Sequence, residues 1–300
     1  MSKSSKTILI VATMSAGKSS LINALLGKEL LYSANEATTS KMTRITITEK
    51  GHPKATAYNY SGDITDSNSH LCANQLREWN KSEVISSIDI DFPYSESKSS
   101  TKLAGYTLID TPGANNSMDS RHREVFLEVI KSYSNSTLLY VLNATQQGTT
   151  DDAEMLKTIY NLNPSQKVIF ALNKVDELDE ERGESIKHHV SIARQYLCEL
   201  GFNRPMIVPL MALPALIAKK SLAQVDIGRR ERNILNNELS RFRNAPQYLN
   251  HAAAIPYRLK RNLGWRLRKI NNKKHIHMSE KELKMFVDYT GLRTLKSLLY

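Results

Sequence analysis

Cysteine is nearly absent: 300 residues hold two, Cys72 and Cys198, far apart and without metal-ligand spacing. That excludes a disulfide framework and points to a reducing compartment. Long apolar stretches are missing too. The longest, Met206 to Ala218, holds Pro209 and Pro214 and is too short to span a bilayer. The start, Met1-Ser2-Lys3, opens neither a signal peptide nor a myristoylation site. No internal repeat or low-complexity tract is present. These absences predict a cytoplasmic protein. Its length suits one large domain, or a domain with a smaller appendage, and can bury a sizeable core.

What is there is a set of polar loops, each at the end of an apolar run. Ile8-Leu9-Ile10-Val11 leads into Ala12-Thr13-Met14-Ser15-Ala16-Gly17-Lys18-Ser19-Ser20, the tail of a phosphate-binding loop placed between strand and helix. Triphosphate oxygens need several backbone N–H groups on a tight turn and the positive end of a helix. Lys18 supplies charge for the β- and γ-phosphates, and the Ser19 hydroxyl is a Mg²⁺ ligand. The first glycine of the usual pattern is here Ala12. Leu108-Ile109-Asp110-Thr111-Pro112-Gly113 ends a second run. Asp110 can hold Mg²⁺ through water, and the Gly113 N–H can meet the γ-phosphate when its loop closes. Val168 to Leu172 leads into Asn173-Lys174-Val175-Asp176. A carboxylate there accepts hydrogen bonds from the N1–H and 2-amino group of guanine, which adenine does not offer, while Lys174 lays its stem over the base. The order and spacing of the three motifs predict GTP binding.

Strands and helices alternate around these motifs. Strands are predicted at Thr7–Val11, Thr43–Glu49, Lys54–Asn59, Ser87–Phe92, Gly105–Asp110, Thr137–Asn143, Lys167–Leu172 and Pro205–Leu210. Helices are predicted at Lys18–Leu26, Leu71–Lys81, Arg121–Lys131, Asp151–Asn161, Arg182–Leu200 and Ala212–Lys220. The fold class that follows is α/β, a three-layer, mostly parallel sheet of the P-loop GTPase type.

The net charge of +11 is unevenly placed. Residues 1–220 carry 24 basic and 24 acidic side chains, residues 221–285 carry 15 and 5, and residues 286–300 add Arg293 and Lys296 against Asp288. Gly228–Phe242 and Tyr257–Ile270 space their apolar residues as helices do, with arginines and lysines between. The sequence therefore divides into a nucleotide-binding core over 1–220, a basic helical insertion over 221–285 and a closing helix over 286–300. A solvated face, an anionic membrane surface and a nucleic-acid surface all suit the cationic helices. Tyr257 and Trp265 suit a core, a headgroup layer or stacking on bases. The protein is thus expected in the cytoplasm, peripheral to a membrane or to the nucleoid.

The motifs resemble those of bacterial dynamin-like GTPases. Thr13 to Ser20 is similar to the phosphate loop of the dynamin superfamily, Thr38-Thr39 to its first switch and Asp110-Thr111-Pro112-Gly113 to its second. Asn143 to Asp152 is similar to a stretch of the bacterial members, and Tyr289 to Leu295 to the element that closes their GTPase domain. The resemblance implies hydrolysis of GTP with Mg²⁺. Ser15, Ala16, Gly17, Lys18, Ser19 and Ser20 hold phosphates, and Ser19 and Thr39 ligate the metal, with Thr38 as the alternative to Thr39. Asp110 supports the metal, Asn173, Lys174 and Asp176 read the base, and Ala212 lies where a backbone N–H meets the guanine oxygen. It further implies that Ser15 neutralises charge on the bridging oxygen with a monovalent cation, and that two GTPase domains pair across the nucleotide. Met14 and Ala114 stand where other GTPases keep a glutamine, so backbone groups of the first-switch threonine and Gly113 are left to place the water. Tyr300 falls where dynamin relatives begin their helical bundle, as in an excised GTPase domain or a short relative. A GTP-gated binding module or scaffold for nucleic acid or the replication or translation machinery, with little intrinsic turnover, is the alternative reading.

Overall fold

The computed structural model describes residues 6–32, 41–94, 103–112, 120–179, 182–245, 248–261 and 279–299. It is a mixed α/β fold with a large, mostly parallel sheet, as the alternation of elements predicts. The chain forms two compact units, Met1–Val141 with Thr150–Val168, and Leu142–Thr149 with Ile169–Tyr300. The boundaries at 220 and 285 expected from charge both fall inside the second unit.

The first unit contains β1 (Lys6–Ala12), α1 (Lys18–Leu26), β2 (Met42–Thr48), β3 (Lys54–Asn59), β4 (Ile64–Asn68), α2 (Ala73–Lys81), β5 (Ile85–Pro93), β6 (Tyr106–Asp110), α3 (Ser120–Ser132), β7 (Thr137–Asn143, its last two residues counted with the second unit) and α4 (Thr150–Leu162). Its strands lie in the order β4-β3-β5-β2-β6-β1-β7. β1 is an interior strand and pairs in parallel with β6 and β7, while β2 runs antiparallel to β6. The run Ile8 to Val11 has no polar face because a strand covered on both sides needs none, and all four residues are at most 1% exposed. α1 opens on Gly17, whose φ of 86° turns the chain sharply out of the loop and into the helix. β4 has no counterpart among the predicted strands. Its residues are mostly exposed, and it is held by antiparallel pairing to β3 and by a 3.0 Å hydrogen bond from Trp79 Nε1 of α2 to Asp66.

The second unit contains β8 (Val168–Asn173, its first residue counted with the first unit), α5 (Ile186–Glu199), β9 (Met206–Leu210), α6 (Ala212–Leu222), α7 (Arg229–Asn244), α8 (Tyr248–Ala252), α9 (Glu280–Tyr289) and α10 (Leu292–Leu299). β8 and β9 are parallel. α5 starts four residues later than predicted, because the Asp179 N–H donates to the Glu184 carboxylate at 2.7 Å in a turn that occupies the preceding residues. α6 packs against α7 and α9, and α10 covers β9. Phe242, Phe286 and Tyr289 form a ring cluster with centroids 5.1–6.1 Å apart, joining α7 to α9. The Met211 N–H donates to the Thr290 carbonyl at 3.0 Å, and Gly291 lies so close to β9 that a Cβ there would sit 2.2 Å from the Pro209 carbonyl oxygen. Of the second predicted basic helix, 257–261 is helical and 262–270 lies outside the described residues.

Candidate functional site

In the first unit, the loop between β1 and α1 has the form its sequence requires. Ser15 takes a left-handed conformation, with φ of 59°, and Gly17 another. A non-glycine residue there is costly and persists only where its surroundings hold it. Ala16 and Ser19 are buried and Met14 is exposed at the loop's outer edge. Lys18 extends from the first turn of α1 to the end of β6. Its Nζ donates to the Asp110 carboxylate and, at 2.7 Å, to the Thr111 carbonyl. Thr111 is fixed in turn by its hydroxyl, which donates to the Ile10 carbonyl at 3.0 Å. Asp110 is fully buried and Lys18 only 8% exposed, so the first turn of α1 and the end of β6 meet through a desolvated ion pair.

A second set of bonds supports the same loop from behind. The Thr13 hydroxyl donates to Asp152 of α4 at 3.0 Å, and the Tyr140 hydroxyl of β7 donates to the same carboxylate oxygen at 2.6 Å. Within α1, the buried Asn23 accepts from the N–H groups of Leu30 and Leu31 and donates to the Leu31 carbonyl at 2.6 Å. That side chain ties down the chain just ahead of residues 33–40.

In the second unit, β8 delivers Asn173 to a junction. Its carbonyl accepts from Ala144, and its side-chain Oδ1 accepts from the Ala212 N–H at 3.0 Å. Lys174 follows in a left-handed conformation, with φ of 65°, its ammonium 3.4 Å from Glu177. Asp176 is half-buried on the short 3-10 turn Val175–Glu177. Burial pushes its carboxyl up to about 7, and the negative charges of Glu238 and Glu177 push the same way, against a backbone hydrogen bond and Arg241. Glu238 and Arg241 belong to α7 and are paired at 3.0 Å.

Residues 8–175 match the sequence model of the dynamin family. The chain belongs to the dynamin family. The matched residues belong to a dynamin-like GTPase domain, a P-loop NTP hydrolase domain. The solved structures place it beside an oligomerised bacterial dynamin pair, described as a mechanism for the long-range sensing and tethering of membranes. The fold agrees at a TM-score of 0.52 and 20% identity over 88% of this chain, which spans 41% of that chain's length. A second chain, described in the same words, gives 0.48 and 17% identity over 82% of this chain and 38% of its own. No curated protein matches.

Set against this family, the sequence-predicted residues fall into three groups. Ser15, Ala16, Gly17, Lys18, Ser19, Ser20 and Asp110 lie in the first unit, at the facing ends of β1 and β6. Asn173, Lys174, Asp176 and Ala212 lie in the second, around the end of β8. Thr38, Thr39 and Gly113, with Ala114, lie outside the described residues. The Ala212 N–H, which the resemblance gives to the guanine oxygen, is engaged by Asn173 in this structure, so Ala212 seats the asparagine. Sequence reading missed Asn23 and the bonding of Thr13 and Tyr140 to Asp152, because Asn23, Tyr140 and Asp152 are ordinary helix or strand residues until the fold brings them to their partners. Among the described residues no cluster of His, Cys, Asp and Glu forms a metal site by itself. Ser19 and Asp110 are nevertheless the hard oxygen donors Mg²⁺ takes, with water and phosphate completing its shell. No helix among the described residues is long and apolar enough to cross a membrane.

Proposed function

We propose that this dynamin-family GTPase binds GTP with Mg²⁺, is switched on when two GTPase domains pair across the nucleotide, and works at an anionic membrane surface. The observation that carries the nucleotide reading is the Lys18 contact with Asp110 and Thr111, which brings the phosphate loop and the second-switch strand end together. The loop amides from Ser15 to Ser20 and the Lys18 charge bind the β- and γ-phosphates. As Lys18 turns to them, Asp110 is released from its ion pair. Mg²⁺, held by Ser19, by Thr39 (or Thr38) and through water by Asp110, would offset the charge on the phosphates. Asp176 and Asn173 select guanine, and the Lys174 stem covers its face.

The pairing follows from what the site lacks for orienting water. Met14 and Ala114 are apolar where other GTPases keep a glutamine. The nucleophile is then placed by the backbone of the first-switch threonine and Gly113, and a partner domain that orders both switches accelerates the reaction by on the order of 10³-fold. Ser15, together with a bound monovalent cation, would help neutralise charge on the bridging oxygen. Turnover per molecule is expected to rise with protein concentration, and GDP with aluminium fluoride is expected to produce dimers in light scattering, with Lys18→Ala losing both. A specific activity that stays flat over a hundredfold range, without such dimers, rejects the pairing.

The membrane reading draws on the basic helices and on the membrane-tethering pair that shares the fold. Within the described part, Lys220 pairs with Glu231 at 2.7 Å, Arg241 with Glu238 at 3.0 Å and Arg243 with Glu282 at 2.6 Å. Much of the local charge therefore serves the packing of α7. Arg229 and Arg230 stand exposed at its start.

A further inference from the structure

We propose that Asp152 is a positioning residue for the phosphate loop, acting through the Thr13 hydroxyl, with Tyr140 fixing the carboxylate that Thr13 grips. The proposal rests on the reading of Thr13 to Ser20 as the loop that holds GTP. It adds that the loop is shaped from outside the motif by a helix 139 residues further along the chain.

The geometry carries it in three steps. Ala12, the last residue of β1, is buried and lies beside Val141 of β7, so the loop leaves the sheet next to the strand that bears Tyr140. Tyr140 pairs with Val11 in the parallel register and has no exposed surface. Asp152 is 1% exposed and lies in the first turn of α4, where the positive end of the helix favours a carboxylate. One of its oxygens accepts from both hydroxyls, Tyr140 at 2.6 Å and Thr13 at 3.0 Å. A buried carboxylate with two donors on one oxygen is a stiff anchor.

What is anchored is the first residue of the loop. Thr13 stands two positions before Ser15, the residue held in the left-handed region. An amide loop binds anions well only if its N–H groups already converge, and this one has alanine rather than glycine at its entry. Fixing Thr13 limits the backbone to shapes in which Ser15 keeps that turn. The anchor contributes to nucleotide affinity without touching the nucleotide.

The test compares variants that remove one hydroxyl each. Thr13→Val keeps the side-chain shape and leaves the Tyr140–Asp152 bond in place, so the core is spared. It is expected to weaken binding of a fluorescent GTP analogue about tenfold, equivalent to about 1.4 kcal/mol, the scale of one hydrogen bond to a charged group. The loss falls on KM rather than kcat, because ground state and transition state use the same amides. Thr13→Ser, which returns the hydroxyl, is expected to recover affinity to within about threefold, a margin small against the tenfold loss. Tyr140→Phe is expected to give an intermediate loss. Melting of the nucleotide-free protein is recorded for each variant, since a merely structural role would lower melting and the active fraction while KM stays put. Thr13→Val binding as tightly as wild type, or Thr13→Ser binding as poorly as Thr13→Val, overturns the proposal. Lys18→Ala binding GTP as tightly as wild type overturns the phosphate-loop reading itself, and the anchor with it.

Discussion

Guanine-nucleotide affinity should titrate with Asp176. Most base-reading carboxylates are useful because they stay ionised, yet this one sits where ionisation is opposed. Burial raises its pKa to about 7, Glu238 and Glu177 add to the rise, and Arg241 offsets only part of it. Accepting from the N1–H and 2-amino group of guanine requires the carboxylate form. With a midpoint near 7, about nine-tenths of the nucleotide-free protein is ionised at pH 8 and about one-tenth at pH 6. Affinity for GDP is therefore expected to fall about tenfold between those pH values, a cost of about 1.4 kcal/mol. Calorimetry in excess Mg²⁺, which keeps the phosphates deprotonated, measures this directly. Repeating the titration in buffers of different ionisation heat counts the proton released, about half per nucleotide at pH 7. Glu238→Gln removes one opposing charge and is expected to move the midpoint downward. Affinity constant within twofold from pH 6 to 8, with no proton release, would refute the reasoning. The same shift affects folding. Asp176 binds its proton more tightly in the native protein than in the unfolded chain, so its contribution is fully present below about pH 4 and is lost as the pH rises through about 7.

Two further outcomes are expected. Gly291→Ala forces a Cβ to within 2.2 Å of the Pro209 carbonyl oxygen at a φ of 85°. It should cost about 3 kcal/mol or more in denaturant unfolding, and unchanged unfolding would show that the approach relaxes freely. Arg229→Glu with Arg230→Glu is expected to reduce sedimentation with anionic liposomes at low salt while leaving GTP affinity intact. Equal sedimentation of variant and wild type would make the start of α7 a solvated face, and binding to duplex DNA instead would favour the nucleic-acid alternative.

The legible parts of the chain are those whose signal is local. β1, the loop and α1 read directly because an apolar run, a turn of small residues and a helix buried on nearly every side follow one another within about twenty residues. β6 and β8 read equally well, each an apolar run ending in the polar residues that matter. β4 did not, since Thr65, Asp66, Ser67 and Asn68 carry no buried face and are strand only through pairing to β3. The candidate site was legible as a set of motifs and not as a set of contacts. Nothing in the sequence says that Lys18 and Asp110, 92 residues apart, bond to each other in this structure. Nothing local marks Asp152 as different from Asp151 beside it, although one is buried against Tyr140 and the other is exposed.

The docking of Thr290 and Gly291 against β9 also sets a schedule. Leu142–Thr149 belongs to the second unit, and so does the turn bearing Asp176, yet part of the cover for β9 and α6 comes from α9 and α10, between residues 280 and 299. During synthesis these earlier pieces leave the ribosome well before the residues that seal them. At about 5–20 residues per second the interval from Leu210, the end of β9, to Leu299 lasts on the order of ten seconds. Over that time the apolar surfaces of β9 and α6 depend on chaperones or on provisional contacts. A nascent chain halted before residue 280 would carry every base-reading residue and still lack the helices that close the unit around them.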